Sequence, residues 1–168
     1  MKTRIVCMLA VVLLAEVTAG EELALKASSA VLTGAFALTN GCIWQNGKSA
    51  GHAVFSFQLD KAGSYAIRAT VNASAPKPGS FLVDIDSEPT QLEMTWDLAH
   101  TSGFEPHLIT WRGNGTAAQP QFRPKVFHLS AGQHQLILQG TEAGAQVQGL
   151  AILALPPPPT GLHVVSKP

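Results

Sequence analysis

Short runs in which apolar and polar residues alternate fill most of the chain after its first twenty residues. In the clearest run, Tyr65, Ile67, Ala69 and Val71 share one side, and mostly polar residues take the other. The same alternation recurs at 55–59, 80–86 and 133–139. A period of two is that of a strand with one face on a core and one in water, and no segment sustains a helical period. The more continuously apolar run from Val147 to Leu155 predicts a strand covered on both faces.

Glycine, proline and asparagine separate these runs. The turn signals are Asn40-Gly41, Asn46-Gly47, Asp60 to Gly63, Pro76 to Gly79, Gly113 to Gly115 and Ser130 to Gly132. Many short strands at this spacing predict an all-β sandwich or barrel. Two segments echo each other, because Phe57–Gly63 and Phe127–Gly132 each end an apolar strand in an Ala-Gly turn that opens the next strand. The echo predicts recurrent hairpin chemistry rather than an internal repeat.

The first nineteen residues have the three parts of a secretion signal. Lys2 and Arg4 precede an apolar run at 5–15, and small residues follow it, so we expect residues 1–19 to be cleaved off after Ala19. A membrane-spanning helix needs about 20 apolar residues, which this run does not have. No other run is apolar enough for that length. We therefore expect a secreted, extracellular product without a membrane span.

Composition and charge limit the classes of partner that the mature chain could bind. Charged residues make up 13% of the sequence and the formal net charge is zero, so no basic footprint indicates nucleic acid. Removal of the signal also removes Cys7 and leaves Cys42 as the only cysteine, which excludes an internal disulfide. We interpret Cys42 as a small buried residue, with an interchain bridge as the alternative. We expect one monomeric domain at 21–155, followed by a proline-rich linker and unfinished tail at 156–168.

Two stretches of the domain carry a family pattern. They are Ala62 to Ala69 followed by Gly79 to Asp86, and His128 to Leu138 followed by Glu142 to Gly144. Their sequences, AGSYAIRA with GSFLVDID and HLSAGQHQLIL with EAG, resemble carbohydrate-binding modules of the family 6 and family 35 type. The resemblance implies a galactose-binding-like jelly-roll β-sandwich that binds a glycan or polysaccharide without catalysis. A protein-interaction or structural module is the alternative, because a fold does not determine a function.

The same resemblance implies a structural calcium, which such modules hold with acidic residues of the first strand and an Asp of the last strand. Glu21 and Glu22 would supply the carboxylates of the first strand here, whereas a neutral Gln148 stands where the Asp is expected. Calcium prefers several anionic oxygens, so this replacement weakens the implied site. The Arg of the family's Arg-Glu-x-Gly turn is also replaced, by Thr141.

The tail has a character of its own. Pro156 to Pro159 favours an extended polyproline spacer. Pro158 to Val164, PPTGLHV, resembles the entry strand of a fibronectin type III domain. That resemblance implies a modular secreted protein of bacterial origin, and a disordered tail is the alternative.

Enzyme motifs are missing from the sequence. It contains no Gly-x-Ser-x-Gly elbow, no His-Glu-x-x-His, no paired-cysteine metal site and no phosphate-binding glycine loop. The six histidines have no close ligand spacing, and His134 shares a face with Leu136 and Leu138, which favours a hydrogen-bonded core histidine. We therefore expect no enzyme, with a small hydrolase whose triad is assembled by folding as the remaining alternative.

Binding residues are easier to propose. Sugar rings present apolar C–H faces rimmed by hydroxyls, so a surface that binds them needs an exposed aromatic side chain beside amide, carboxylate or guanidinium groups. The aromatic candidates are Trp44, Trp96 and Trp111, with Phe104 and Tyr65 ranked behind them. The hydrogen-bonding candidates are the loop residues Asn46, Asp97 and Asn114.

Sequence position ranks the three tryptophans. Trp44 lies between two Asn-Gly turns, and Trp96 precedes a predicted loop that reaches Gly103, which favours exposure of both indoles. Trp111 lies in the strand-like run 108–112, which favours a place in the core. For each tryptophan, packing in the core or at its rim is the alternative to ligand contact.

Overall fold

The computed structural model of the chain describes residues 22–45, 51–74, 79–119 and 121–157. Within these residues, twelve strands and two short 3₁₀ turns follow one another. The strands are β1 Glu22–Lys26, β2 Val31–Thr33, β3 Phe36–Thr39, β4 Cys42–Gln45, β5 His52–Leu59, β6 Gly63–Asn72, β7 Ser80–Ile85, β8 Thr95–Asp97, β9 Phe104–Leu108, β10 Phe127–Leu129, β11 Gly132–Gly140 and β12 Gln146–Ala154. The 3₁₀ turns are Ala27–Ser29 and Leu92–Met94.

The strands form two antiparallel sheets around one core. The first sheet has the order β10-β6-β12-β4-β3; β1 shares an edge of β12 with β4, and β9 shares an edge of β6 with β10. The second sheet has the order β2-β5-β11-β7-β8. Ile67 and Val71 of the first sheet and Phe55, Phe81 and Leu136 of the second belong to one hydrophobic cluster and are almost completely buried. The predicted all-β sandwich is confirmed.

The alternation in the sequence correctly predicts most of the side chains that are buried in this core. Tyr65, Ile67, Ala69 and Val71 are buried along β6, as predicted. Ser80 departs from the pattern, because its hydroxyl is buried and lies 2.7 Å from the hydroxyl of Thr141. A hydroxyl at the start of β7 therefore joins the core boundary through a hydrogen bond instead of facing water.

The last strand, β12, is covered less completely than its sequence indicates. Leu150, Ala151 and Ile152 are buried, but Gln148 is exposed on the outer side of the first sheet. The pairing of β12 with β6 shifts between Val147 and Gly149, so one extra residue lies in a bulge there. A bulge leaves its extra residue out of the ladder and bends the strand locally. The prediction of two covered faces is therefore wrong at Gln148.

The two Ala-Gly turns are arches between the sheets. β5 of the second sheet continues into β6 of the first, and β10 of the first continues into β11 of the second. The strands that flank one arch pair with the strands that flank the other. Leu129 of β10 lies opposite Gly63 of β6, and Gly132 of β11 lies opposite Leu59 of β5. The prediction of hairpins at these turns is wrong, because the strands on either side of each turn belong to different sheets.

The Asn40-Gly41 turn is a hairpin, as its sequence predicts. It joins β3 to β4, with Thr39 paired to Cys42 across a two-residue loop. Asn40 has φ of 50° and Gly41 has φ of 77°, and positive φ at both positions is the requirement of a type I′ turn. The turn fixes the register of β4 and therefore the face on which its side chains lie. Cys42 is buried, which confirms our interpretation of it.

Several predicted features fall on residues that the structure does not describe. They are the signal peptide, Glu21, the Asn46-Gly47 turn, most of the Pro76–Gly79 turn and the tail from Pro158 onward. Cleavage, secretion, the domain boundaries and the fibronectin-like stub therefore stay predictions. In the described part of the chain, no helix has the length and apolar character needed to cross a membrane.

Candidate functional site

A row of four side chains crosses the outer face of the first sheet. Trp44 of β4 pairs with Gln146 of β12, Gln146 pairs with Asn72 of β6, and Asn72 pairs with Phe104 of β9. Directly paired residues in an antiparallel sheet project from the same face. Because the residues flanking Trp44 and Asn72 are buried, this face is the one turned to solvent. We call these four residues the aromatic row.

The two ends of the aromatic row are exposed aromatic side chains. Trp44 keeps 37% of its surface exposed and Phe104 keeps 41%. Single exposed apolar side chains are common on protein surfaces, so the informative feature is the alignment of these two rings in one row with two amides between them. Each end offers a flat apolar surface suited to a stacked ring.

The centre of the row is a fixed pair of amides. Asn72 Nδ2 donates to Gln146 Oε1 at 3.1 Å, and Asn72 Oδ1 accepts from the backbone N–H of Ser74 at 3.2 Å. Both polar atoms of Asn72 are thereby held, which sets the orientation of its amide. An orientation that is fixed before binding reduces the entropy that a ligand must overcome.

The loop that leads into β9 is held in a similar way. The backbone N–H and the hydroxyl of Ser102 both donate to Glu105 Oε1 at 2.9 Å. These bonds hold the pKa of the Glu105 carboxyl below its ordinary value. Thr101 anchors the same loop, because its hydroxyl accepts from the backbone N–H of Ala73 at 2.7 Å. Phe104 therefore projects from a strand whose entry is restrained on both sides.

Beyond the row, the same face contains a shallow depression of about 260 Å³ between β1, β12 and β6. Its polar lining consists of Glu22, Lys26, Arg68, Thr70 and Gln148. Arg68 Nη2 donates to both carboxylate oxygens of Glu22, at 2.7 and 2.8 Å, so the charges at one end are paired. The depression extends the polar part of the face along the strands.

Of the predicted site residues, Trp44 is the one that lies in the aromatic row. It belongs to β4 rather than to the loop that we expected, yet its indole is exposed, as that prediction required. Its predicted neighbour Asn46 lies outside the described residues. The role of both in ligand binding stays a prediction.

Trp96 and Asp97 do not reach an open surface. Trp96 is 1% exposed and packs against Phe81, with ring centroids 5.9 Å apart. Asp97 accepts from Arg112 Nε at 2.8 Å and from Nη2 at 2.5 Å, and both side chains are mostly buried. The expectation that Trp96 offers an exposed ring is wrong, because β8 places alternate residues inward and Trp96 takes the inward position beside β7.

Trp111 and Asn114 belong to the long loop between β9 and β10. Trp111 Nε1 donates to the backbone oxygen of Val83 at 2.8 Å, and Lys125 Nζ lies 3.6 Å from the centre of the ring. Trp111 therefore ties the loop to the second sheet, in agreement with its predicted packing role. Asn114 is exposed in this loop, where the neighbouring Gly113 donates to the backbone oxygen of Glu93. Neither residue projects from the strands that carry the aromatic row.

The residues do not fit the calcium site that the resemblance implies. The carboxylate of Glu22 is already bound by Arg68, and Glu22 pairs with Leu153, whereas Gln148 lies near the opposite end of β1, beside the Lys26–Gly149 pair. Glu21 is outside the described residues. Among the residues with described positions, no group of three or more His, Cys, Asp or Glu side chains could hold a metal ion.

His134 is a buried ionisable residue away from the row. It is 7% exposed, with Nδ1 2.6 Å from Asp86 Oδ2 and Nε2 2.9 Å from the backbone oxygen of Ser130. Burial by itself lowers the pKa of this imidazole, but the bonds to Asp86 and Ser130 and the charge of Asp86 outweigh it, so the pKa is raised. The prediction of a hydrogen-bonded core histidine is confirmed.

The sequence alone did not identify the two amides of the row. Asn72 was placed on the outer face of its strand by alternation, but nothing marked it as a ligand contact. Gln146 is 74 positions away from Asn72 and becomes its neighbour only through the register of β12 with β6. Phe104 was a lesser candidate, and its position at the other end of the row depends on the register of β9.

The two antiparallel sheets, the arches between them and the exposed aromatic row describe a jelly-roll β-sandwich with an open face. Solved structures of this fold include a family 35 carbohydrate-binding module from Clostridium thermocellum, with a TM-score of 0.57 and 12% identity over 79% of this chain and 97% of that one. They also include the C-terminal family 6 module of a marine laminarinase from Zobellia galactanivorans, with a TM-score of 0.50 and 14% identity over 79% and 98%.

A third structure is a larger protein, the GH26-CBM35 β-(1,4)-mannanase of Podospora anserina. It has a TM-score of 0.60 and 11% identity, and the match covers 83% of this chain but only 29% of the mannanase chain. The sequence matches no protein-family model and no curated protein. At such low identity the likeness establishes the fold alone, and it confirms the predicted jelly-roll β-sandwich.

Proposed function

We propose that this domain is a non-catalytic carbohydrate-binding module and that it holds a glycan on the outer face of its first sheet. The observation that carries the proposal is the aromatic row, in which Trp44 and Phe104 flank the amides of Gln146 and Asn72. Aromatic rings stack on the apolar faces of sugar rings, and amides exchange hydrogen bonds with their hydroxyls. The structural likeness to solved carbohydrate-binding modules supports the same function.

The chemistry of the row favours binding over catalysis. None of its four side chains is ionisable, so the row offers neither a general acid nor a general base. The carboxylate that lines the depression on this face, that of Glu22, is engaged by Arg68. The proposal includes a secreted, monomeric module whose partner is a polysaccharide.

A glycan panel followed by titration calorimetry tests the proposal. Trp44→Ala should lower the affinity for the best glycan about tenfold or more, since one aromatic contact contributes on the order of 1 kcal/mol or more. Phe122→Ala is the matched control, because Phe122 is an exposed aromatic residue in the long loop, away from the row. The control should bind as the wild type does.

Two results would overturn the proposal. One is a complete lack of binding across plant, algal and host glycans. The other is glycan binding that survives Trp44→Ala at full strength. Binding of a protein partner through the same face, without glycan binding, would instead support the interaction module that the sequence left as the alternative.

A further inference from the structure

The sheet itself sets the distance between the two aromatic ends of the row. From Trp44 to Phe104 the row takes three steps between neighbouring strands, β4 to β12, β12 to β6 and β6 to β9. Each step is about 4.8 Å, so the two ends lie about 14 Å apart. One strand-to-strand step is close to the length of one sugar unit in an extended chain. The row therefore matches four consecutive units of such a chain.

The four residues of the row are directly paired from strand to strand, with no bulge between them. The bulge in β12 falls between Val147 and Gly149, after Gln146, so the pairs that make up the row are in direct register. Contacts at one level on successive strands suit a glycan that runs across the strands with one ring per strand. A helical or strongly curved chain would place its fourth ring away from the second aromatic side chain.

In the described part of the chain, both ends of the row are open. β9 is the outermost strand beside this part of β6 among the described strands, so no described strand lies beyond Phe104. At the other end, the residue paired with Trp44 is Ala37 of β3, whose side chain is too small to block a chain. A polymer can therefore enter past one end and leave past the other.

From this geometry we infer that the face takes an internal stretch of an extended, linear β-1,4-linked polysaccharide, four units long, lying across the strands. Trp44 stacks on the first ring and Phe104 on the fourth, and the Asn72–Gln146 pair binds hydroxyls of the two rings between them. The inference rests on the proposed function and adds to it the length, shape and direction of the ligand.

Chain length is the variable that tests the inference. Gluco- and manno-oligosaccharides with β-1,4 linkages, of two to six units and reduced at one end, are titrated against the wild type. Affinity should rise steeply from two to four units and then level off, because a shorter chain contacts one aromatic end at a time. Reduction of the end unit should not matter once the chain exceeds four units. A β-1,3-linked glucan series should lack the rise at four units.

Single variants at the two ends make the test sharper. With chains of four or more units, Trp44→Ala and Phe104→Ala should each lower affinity about tenfold, because each removes one of two linked contacts. With a disaccharide, each should lower it by no more than about twofold, because the other end still binds. Phe122→Ala should change neither ligand's affinity. Unfolding midpoints of all variants check that the domain remains folded.

The outcomes separate the inference from the proposed function. A plateau at two units, an equal rise with the β-1,3-linked series, or wild-type binding of long chains by Phe104→Ala would overturn the inference. If Trp44→Ala still loses glycan binding in those cases, the proposed function stands. Absence of any Trp44-dependent glycan binding would overturn both.

Discussion

Asn72 donates a side-chain hydrogen bond to Gln146, and this bond joins two strands whose residues are 74 positions apart in the sequence. It connects the middle strands of the face between the two exposed aromatic rings. In the proposed function, this bond orients both amides before a glycan arrives, so that donors and acceptors are already in place.

Removal of the Asn72 amide should therefore weaken glycan binding without unfolding the domain. Asn72→Ala removes one ligand contact and releases the side chain of Gln146, so we expect about a three- to tenfold loss of affinity, which corresponds to roughly 1 kcal/mol for a neutral hydrogen bond. Calorimetry measures the loss. Gln133→Ala, which removes an exposed amide from the second sheet, is the control. Equal effects of the two variants would contradict the prediction.

Trp44 and Trp96 should separate binding from stability. Trp96→Ala removes a buried indole and should lower the free energy of unfolding by about 3–5 kcal/mol. Trp44→Ala removes a partly exposed indole and should lower it by less than about 1 kcal/mol. Urea denaturation monitored by circular dichroism measures both. A large stability loss in Trp44→Ala would show that this indole is a packing residue and would weaken its assignment to a ligand.

His134 should make the stability of the domain depend on pH. Its two ring nitrogens face a carboxylate and a carbonyl oxygen, neither of which donates, so the doubly protonated imidazolium satisfies both. Because the folded-state pKa is raised above the unfolded value of about 6.5, the stabilisation is fully present below that value. It is lost as pH rises through the folded-state pKa.

The measurement compares unfolding free energies of the wild type and His134→Gln over this pH range. The wild type should be more stable than His134→Gln by the largest margin below pH 6.5, and this margin in unfolding free energy should shrink as the pH rises and the imidazole loses its proton. His100→Gln, at an exposed histidine in a loop, should run parallel to the wild type at every pH. A difference for His134→Gln that stays constant with pH would contradict a raised folded-state pKa for His134.

Gly140 should tolerate no side chain. A Cβ at this position would lie 1.3 Å from Gln45 Oε1 and 2.8 Å from Phe36 Cε1. Gly140→Ala must displace the buried Gln45 next to Trp44, and we expect a loss of about 1–3 kcal/mol in unfolding free energy. Gly103→Ala is the matched control, because no atom lies within 4 Å of its added Cβ. Similar midpoints for the two variants would contradict this account of Gly140.

Local patterns predicted the local features of this domain. The alternation around Ile67 identified the buried face of β6, and Asn40-Gly41 identified its turn, because each depends on neighbours in the sequence. Trp96 was misjudged because β8 is only three residues long, too short to show a period.

The arrangement of the aromatic row could not be predicted from the sequence for a related reason. Trp44 and Gln146 are adjacent only because the last strand lies beside β4, and no local pattern records that pairing. The arches were misjudged for the same reason, since an Ala-Gly turn looks alike whether the chain stays in one sheet or changes sheets. The sequence thus predicted the exposed indole of Trp44 but not the line along which its neighbours in the sheet lie.

The central position of β12 in the first sheet has a consequence for how the domain folds during synthesis. β12 is the last strand of the described chain, and it pairs with β1, β4 and β6. The first sheet therefore cannot close until the end of the domain has been synthesised, and β1 must wait for a partner more than a hundred residues away. Closure over such a separation makes folding slow. Until then, the unpaired edges of β4 and β6 are the places where a newly made chain is most exposed to aggregation.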